Sequence, residues 1–204
     1  KEGIAKKAAM AMKLCCLITV PAAVGMSVMA EELSLLLYGT SKAAVAIMHS
    51  GPALWLLGMQ QVTTGVLQGM GKINIPMLNM VCGLAAKVCA VWFLTNATYN
   101  IAGAAWASNI NFGLAALLNI YVLYRFGIKF KWQEIAKVIL AAFLMGVAAH
   151  FGYQVLVQAL AHRTLATIGA IGLAAVVYAV LLPCLGAINK VELSHLPVIK
   201  KFIR

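Results

Sequence analysis

Six stretches of mostly apolar residues follow one another along this chain of 204 residues, with short polar segments between them. Each stretch approaches or exceeds the roughly 20 residues that a helix needs to cross a lipid bilayer. The apolar runs are continuous rather than alternating, which argues against the strands of a transmembrane barrel. The sequence therefore predicts an all-α integral membrane fold of about six transmembrane helices, with no room for a separate soluble domain.

The composition supports lipid as the solvent. Hydrophobic residues make up 63% of the chain and charged residues 10%, whereas a soluble domain carries about 25% charged residues. The predicted spans cover residues 14–29, 43–67, 75–94, 101–124, 135–157 and 165–182. Leu33 to Gly39 is predicted to lie at the interface, and Gly69 to Lys72 to form a tight turn. The chain begins without a Met or a signal-peptide pattern, and we expect it to be a piece of a longer protein.

The sixteen Lys and Arg residues are distributed unevenly between the two predicted membrane faces. With six spans, one face would hold only Lys42 and Arg163, and Lys87 would lie inside a span. The other face would hold Lys1, Lys6, Lys7, Lys13, Lys72, Arg125, Lys129, Lys131, Lys137, Lys190, Lys200, Lys201 and Arg204. The positive-inside rule then predicts a multi-pass protein of the bacterial inner membrane with both ends of the chain in the cytoplasm. Because topology explains the net charge of +11, we expect no nucleic-acid partner.

Lys87 is the strongest candidate for a functional residue. It lies in the interior of the third predicted span, where a charge costs several kcal/mol unless it faces a partner or water. Its helical neighbours include Gly83 and Ala90, whose small size leaves room for another helix or a ligand. An ammonium group can bind a phosphate as a point charge, so we predict that Lys87 binds substrate. The alternative is a side chain that reaches the membrane surface or pairs with an acid on another helix.

A polar stripe on the second span is the second candidate for substrate binding. Gln60, Gln61, Thr64 and Gln68 share one helical face, and such groups within lipid need partners or water. They could line an aqueous cavity and bind a sugar, or they could hold neighbouring helices together.

The fourth span is predicted to pack closely against its neighbours. Small residues precede its asparagines, a pattern typical of helix contacts in membranes. The residues assigned to helix packing are Gly83, Gly103, Asn109 and Asn119.

Several kinds of chemistry are absent from the sequence. It contains no Asp, and its glutamates lie outside the spans or at their edges, so no carboxylate pair can act inside the membrane. The cysteines lie in apolar runs and lack the spacing of metal ligands. No glycine-rich nucleotide loop is present. We therefore expect neither an enzyme nor a bound metal or cofactor.

Several short motifs carry a resemblance to a known family. Val66 to Lys72, Pro76 and Asn79, Gly83 and Lys87 occur in an order that resembles the second half of the polysaccharide-biosynthesis exporters of the stage V sporulation protein B type. Pro21 to Gly25, Ile101 to Ala105, and Leu117 to Asn119 extend this resemblance. These exporters belong to a superfamily that also includes multidrug and toxin extruders and flippases of lipid-linked peptidoglycan precursors.

The resemblance implies a fold of about fourteen spans, in which two six-helix lobes enclose a cavity and two further helices follow. This chain would supply the ninth to fourteenth spans, and an N-terminal lobe of the same chain would be its partner. Four segments are implied: a basic cytoplasmic segment over 1–13, a second-lobe bundle of four spans over 14–128, two additional spans over 129–186, and a basic cytoplasmic tail over 187–204. Lys87 matches a lysine of the family's cationic cavity. An asparagine often follows in the family, but Val91 and Trp92 occupy that part of this sequence.

The resulting hypothesis is part of a flippase for a lipid-linked sugar or peptidoglycan precursor, working by alternating access. One alternative is a drug or cation antiporter of the same fold, which needs a membrane carboxylate that these spans lack. Another is a non-transporting membrane scaffold in cell-wall or spore-coat assembly. In that case no face of the second span would be accessible to water. Membrane lipids would surround the chain in each case.

Overall fold

The structure is a computed structural model that describes residues 2–95, 100–160 and 162–187. These residues are 90% helical and contain no strand, which confirms the predicted all-α fold. A short 3₁₀ turn, Ser41–Ala43, precedes the third helix. The helices are α1 Glu2–Val28, α2 Ala30–Tyr38, α3 Ala44–Gly69, α4 Asn74–Leu94, α5 Asn100–Arg125, α6 Trp132–Leu160 and α7 Arg163–Cys184.

Five helices of the described residues, α1, α4, α5, α6 and α7, are long and apolar enough to cross a membrane. Helix α3 has 26 residues, enough to span, but is not among these five; it carries the glutamines and threonines of the predicted stripe. The predicted spans coincide closely with these helices, except that α1 begins at Glu2 and so includes most of the predicted basic segment. The predicted basic tail lies outside the described residues from position 188 onward.

The helices pack in an order that differs from their order in the chain. Helix α5 packs against both α3 and α4, whereas α3 and α4 touch each other over a short stretch. Helix α3 also packs against α1, α1 against α6, and α6 against α7. The main core lies where α1, α3, α5 and α6 meet, and its fully buried side chains include Met12, Leu67, Leu123 and Val138.

Two glycines allow α1 and α3 to approach closely. A Cβ atom at Gly58 would lie 2.7 Å from Cys15 Sγ, and one at Gly51 would lie 2.6 Å from the carbonyl oxygen of Ala23. Small residues at such contacts permit the backbone proximity that stabilises helix pairs in lipid.

We expect Gly51→Ala to destabilise the protein, because the added methyl group meets the backbone of α1, which cannot move aside. Overpacking of this kind typically costs about 1–3 kcal/mol. Gly65→Ala on the same helix is the matched control, since no heavy atom lies within 4 Å of its added Cβ. Removing a helical glycine there should stabilise by about 0.5–1 kcal/mol. Thermal unfolding in detergent measures both variants, and equal shifts would contradict the close approach.

Two of the prolines inside helices, Pro21 and Pro52, leave backbone carbonyls that a neighbouring helix then binds. Proline has no N–H, so Pro21 frees the carbonyl of Leu17 and Pro52 frees that of Met48. In the structure, the Tyr178 hydroxyl of α7 donates to the Leu17 oxygen at 2.9 Å. The Ser27 hydroxyl of α1 donates to the Met48 oxygen at 3.0 Å. A neighbouring helix thus satisfies each freed carbonyl.

Several contacts gather the basic residues at one end of the bundle, here called the basic end. The tight turn after α3 forms as predicted: Gly71 has φ of +75° and the Lys72 N–H donates to the Leu67 oxygen at 2.9 Å. Lys72 Nζ lies 5.8 Å from the ring centre of Phe126, which joins this turn to the segment after α5. The buried Lys13 of α1 pairs with Glu134 at the start of α6, at 2.8 Å.

Candidate functional site

Lys87 lies past the midpoint of α4, one turn after the contact between α4 and α5 at Gly83. A Cβ atom at Gly83 would lie 2.7 Å from the backbone oxygen of Asn111, so this glycine sets the separation of the two helices. Lys87 is partly buried, and no ion pair joins it to another described residue. Among the described residues, its ammonium group therefore has no carboxylate partner.

The polar stripe of α3 divides into a buried side and an exposed side. Gln60 is 7% exposed, and its Oε1 atom has no hydrogen-bond partner among the described residues. Thr64 is partly buried, whereas Gln61 and Gln68 are exposed. The predicted stripe is therefore not one continuous surface. Gln60 faces the helix contacts, whereas Gln61 and Gln68 face outward.

A buried hydrogen-bond network joins α3, α4 and α5. It lies between Lys87 and the basic end of the bundle. Asn79 Nδ2 donates to Asn119 Oδ1 at 2.8 Å. Asn119 Nδ2 donates to the hydroxyl oxygens of Thr63, at 3.2 Å, and Thr64, at 3.1 Å. Thr63 in turn donates to backbone oxygens of its own helix, among them that of Met59 at 2.9 Å. Both polar atoms of the Asn119 side chain thus help to hold three helices together.

The other residues assigned to packing also lie at helix contacts. Asn109 of α5 donates from Nδ2 to the backbone oxygen of His49 in α3 at 2.9 Å. Gly103 lies against Leu94 and Thr95, where α4 ends and α5 begins. The sequence analysis did not single out Thr63, and Asn79 entered it only as a family motif. The polar character of Asn79 within an apolar span was the signal that could have identified it.

The charges of the described residues restrict what this site can do. Glu31, Glu32 and Glu134 lie in the first turns of α2 and α6, away from the middle of α4. The described residues hold no group of three His, Cys, Asp or Glu side chains placed to bind a metal ion. The arrangement offers an isolated cation and exposed amides, which suit electrostatic and hydrogen-bonding contacts with an anionic, polar molecule.

The fold and the length of its apolar helices define this chain as part of a multi-pass membrane protein. No family model matches it. The chain is similar to Stage V sporulation protein B of Bacillus subtilis (strain 168), with 28% identity over 199 residues. The similarity covers 95% of this chain, which spans 38% of the length of that relative.

Proposed function

We propose that this chain is part of a bacterial flippase that moves a lipid-linked sugar or peptidoglycan precursor across the membrane. The observation that carries the proposal is Lys87, a partly buried cation within α4 that is not ion-paired with any other described residue. A lysine near the centre of a membrane-spanning helix raises the free energy of membrane insertion by about 2.5–3.5 kcal/mol. Its retention within an apolar helix is accounted for if it binds the phosphate groups of a substrate.

The exposed side of the α3 stripe supports a polar substrate. Gln61 and Gln68 have no packing role, and their amides can bond to sugar hydroxyl groups or to water in a cavity. Thr64 lies beside them and is bonded to Asn119, which fixes its position relative to α5. Lys87 and this stripe lie on the two helices that flank α5.

A second lobe completes the proposed cavity. The chain spans 38% of its relative's length, which leaves room for the N-terminal lobe that a two-lobe transporter needs. Alternating access then follows from rocking of the two lobes about a bound substrate. The excess of cations at the basic end favours a cytoplasmic location for that end, in the inner membrane of a bacterium.

Transport by the full-length protein in proteoliposomes tests the proposal. A fluorescent lipid-linked oligosaccharide is offered to one set of vesicles, and a cationic dye with a sodium or proton gradient to another. We expect the lipid to cross and the dye to remain outside.

Movement of the dye alone would replace the flippase with an antiporter, whose coupling carboxylate would lie outside this chain. If neither the lipid nor the dye crosses the membrane, the result favours a non-transporting scaffold. Cysteine labelling at positions 61 and 68 separates these outcomes, because a transporter exposes both positions to a water-soluble reagent and a dry scaffold does not.

A further inference from the structure

Three cations at the basic end lie over exposed aromatic rings. Lys72 Nζ is 5.8 Å from the ring centre of Phe126, Arg125 Cζ is 6.0 Å from that of Tyr121, and Lys129 Nζ is 5.8 Å from that of Tyr124. The rings are themselves accessible, with 43% of Phe126 and 59% of each tyrosine exposed. These six residues are called the cation–aromatic cluster.

The cluster carries an excess of positive charge. Glu134 is the described carboxylate nearest in sequence to Arg125 and Lys129, and it is already paired with Lys13 at 2.8 Å and Lys131 at 3.1 Å. None of the three cluster cations forms an ion pair with a described residue. Ring contacts hold the cations in place but leave their N–H groups free to donate, apart from a 3.4 Å contact of Arg125 with the Tyr121 hydroxyl.

The position of the cluster determines which anions can reach it. It lies at the C-terminal end of α5, an apolar helix long enough to cross a membrane. Tyrosine and basic residues at helix ends are typical of the layer of lipid headgroups. Cations in that layer are attracted to acidic lipids.

We propose that the cation–aromatic cluster is a binding site for the phosphate headgroup of an anionic phospholipid. The cations come from the turn after α3 and from the end of α5, and the contact of Lys72 with Phe126 at 5.8 Å brings these two segments together. The site is separate from Lys87, which lies deeper within α4, and it does not depend on the proposed transport activity.

Lipid binding to the full-length protein in a neutral detergent tests this site, with native mass spectrometry as the readout and phosphatidylglycerol and phosphatidylcholine as probes. Neutralising Lys72, Arg125 and Lys129 together to glutamine should weaken phosphatidylglycerol binding by about 100-fold, since each cation near an anionic lipid contributes about five-fold. The matched control neutralises Lys42 and Arg163, which lie at the other end of the bundle, and should change binding by less than about two-fold.

A charge-conserving triple variant, with Lys72→Arg, Arg125→Lys and Lys129→Arg, should keep its preference for phosphatidylglycerol, because it keeps all three positive charges. Inorganic phosphate in millimolar amounts should not displace the lipid. The proposal is overturned if phosphatidylcholine binds equally well, if inorganic phosphate competes fully, or if the neutral triple variant binds as the unmodified protein does.

Discussion

Replacing Lys87 by methionine is expected to slow transport of the lipid-linked oligosaccharide by about 10- to 100-fold. Methionine keeps the length and the apolar stem of the side chain but removes the ammonium group. Hydrogen bonds to charged groups contribute about 1.5–3 kcal/mol, and each 1.4 kcal/mol is a factor of about ten. The measurement is the rate of flipping in proteoliposomes, with the amount of inserted protein determined in parallel.

The stability of the same variant distinguishes a functional lysine from a structural one. No described acid pairs with Lys87, so removal of its charge should leave the unfolding temperature in detergent unchanged or raise it. Lys87→Arg keeps the charge and should retain most of the transport rate. Slow transport accompanied by a lower unfolding temperature would indicate that Lys87 supports the fold instead, and normal transport by Lys87→Met would remove the central claim of the proposed mechanism.

Replacing Asn119 by alanine is expected to destabilise the bundle by about 1–3 kcal/mol. The change removes the acceptor for Asn79 and the donor to Thr63 and Thr64. Polar groups left without partners in a buried site carry a cost of that order, although single bonds in membrane proteins average only about 0.6 kcal/mol. Reversible unfolding in mixed detergent micelles measures the change in the free energy of unfolding.

A double-mutant cycle separates the hydrogen bond from the loss of packing. Asn79→Ala and Asn119→Ala should together cost less than the sum of the two single changes, because each single change already breaks their shared bond. Ser108→Ala is the control on the same helix, since the Ser108 hydroxyl bonds only to the backbone of its own turn at Ala104. Strictly additive effects at positions 79 and 119 would show that the bond between them contributes nothing to stability.

Most of the helices were predictable because five of them are apolar runs of membrane length. Five of the predicted spans match their helices at both ends to within a few residues, and only α1 extends well beyond its predicted start. The hydropathy of Lys1 to Lys13 suggested a polar segment, but Ala8 and Met12 pack into the core and Lys13 is neutralised by Glu134. Contacts with other helices therefore extend α1 toward its N-terminus, and such contacts cannot be inferred from the hydropathy of this segment.

The arrangement of the polar residues was less predictable, for a geometric reason. Helical spacing placed Gln60, Gln61, Thr64 and Gln68 on one face, but that face is wide enough for a neighbouring helix to cover part of it. Gln60 is buried and Thr64 is bonded to Asn119 of α5, while Gln61 and Gln68 are exposed. Which residues of a stripe are covered depends on how α3 and α5 pack, and periodicity along one helix carries no information about its partner.

The hydroxyl groups that satisfy the proline-freed carbonyls connect three helices in series. Ser27 on α1 holds the carbonyl that Pro52 frees in α3, and Tyr178 on α7 holds the one that Pro21 frees in α1. If α3 bent at Pro52, the change would act on α1 through Ser27, and bending of α1 at Pro21 would act on α7 through Tyr178. These two hydrogen bonds would carry such a change from α3, which packs against α5, to α7 at the opposite edge of the bundle.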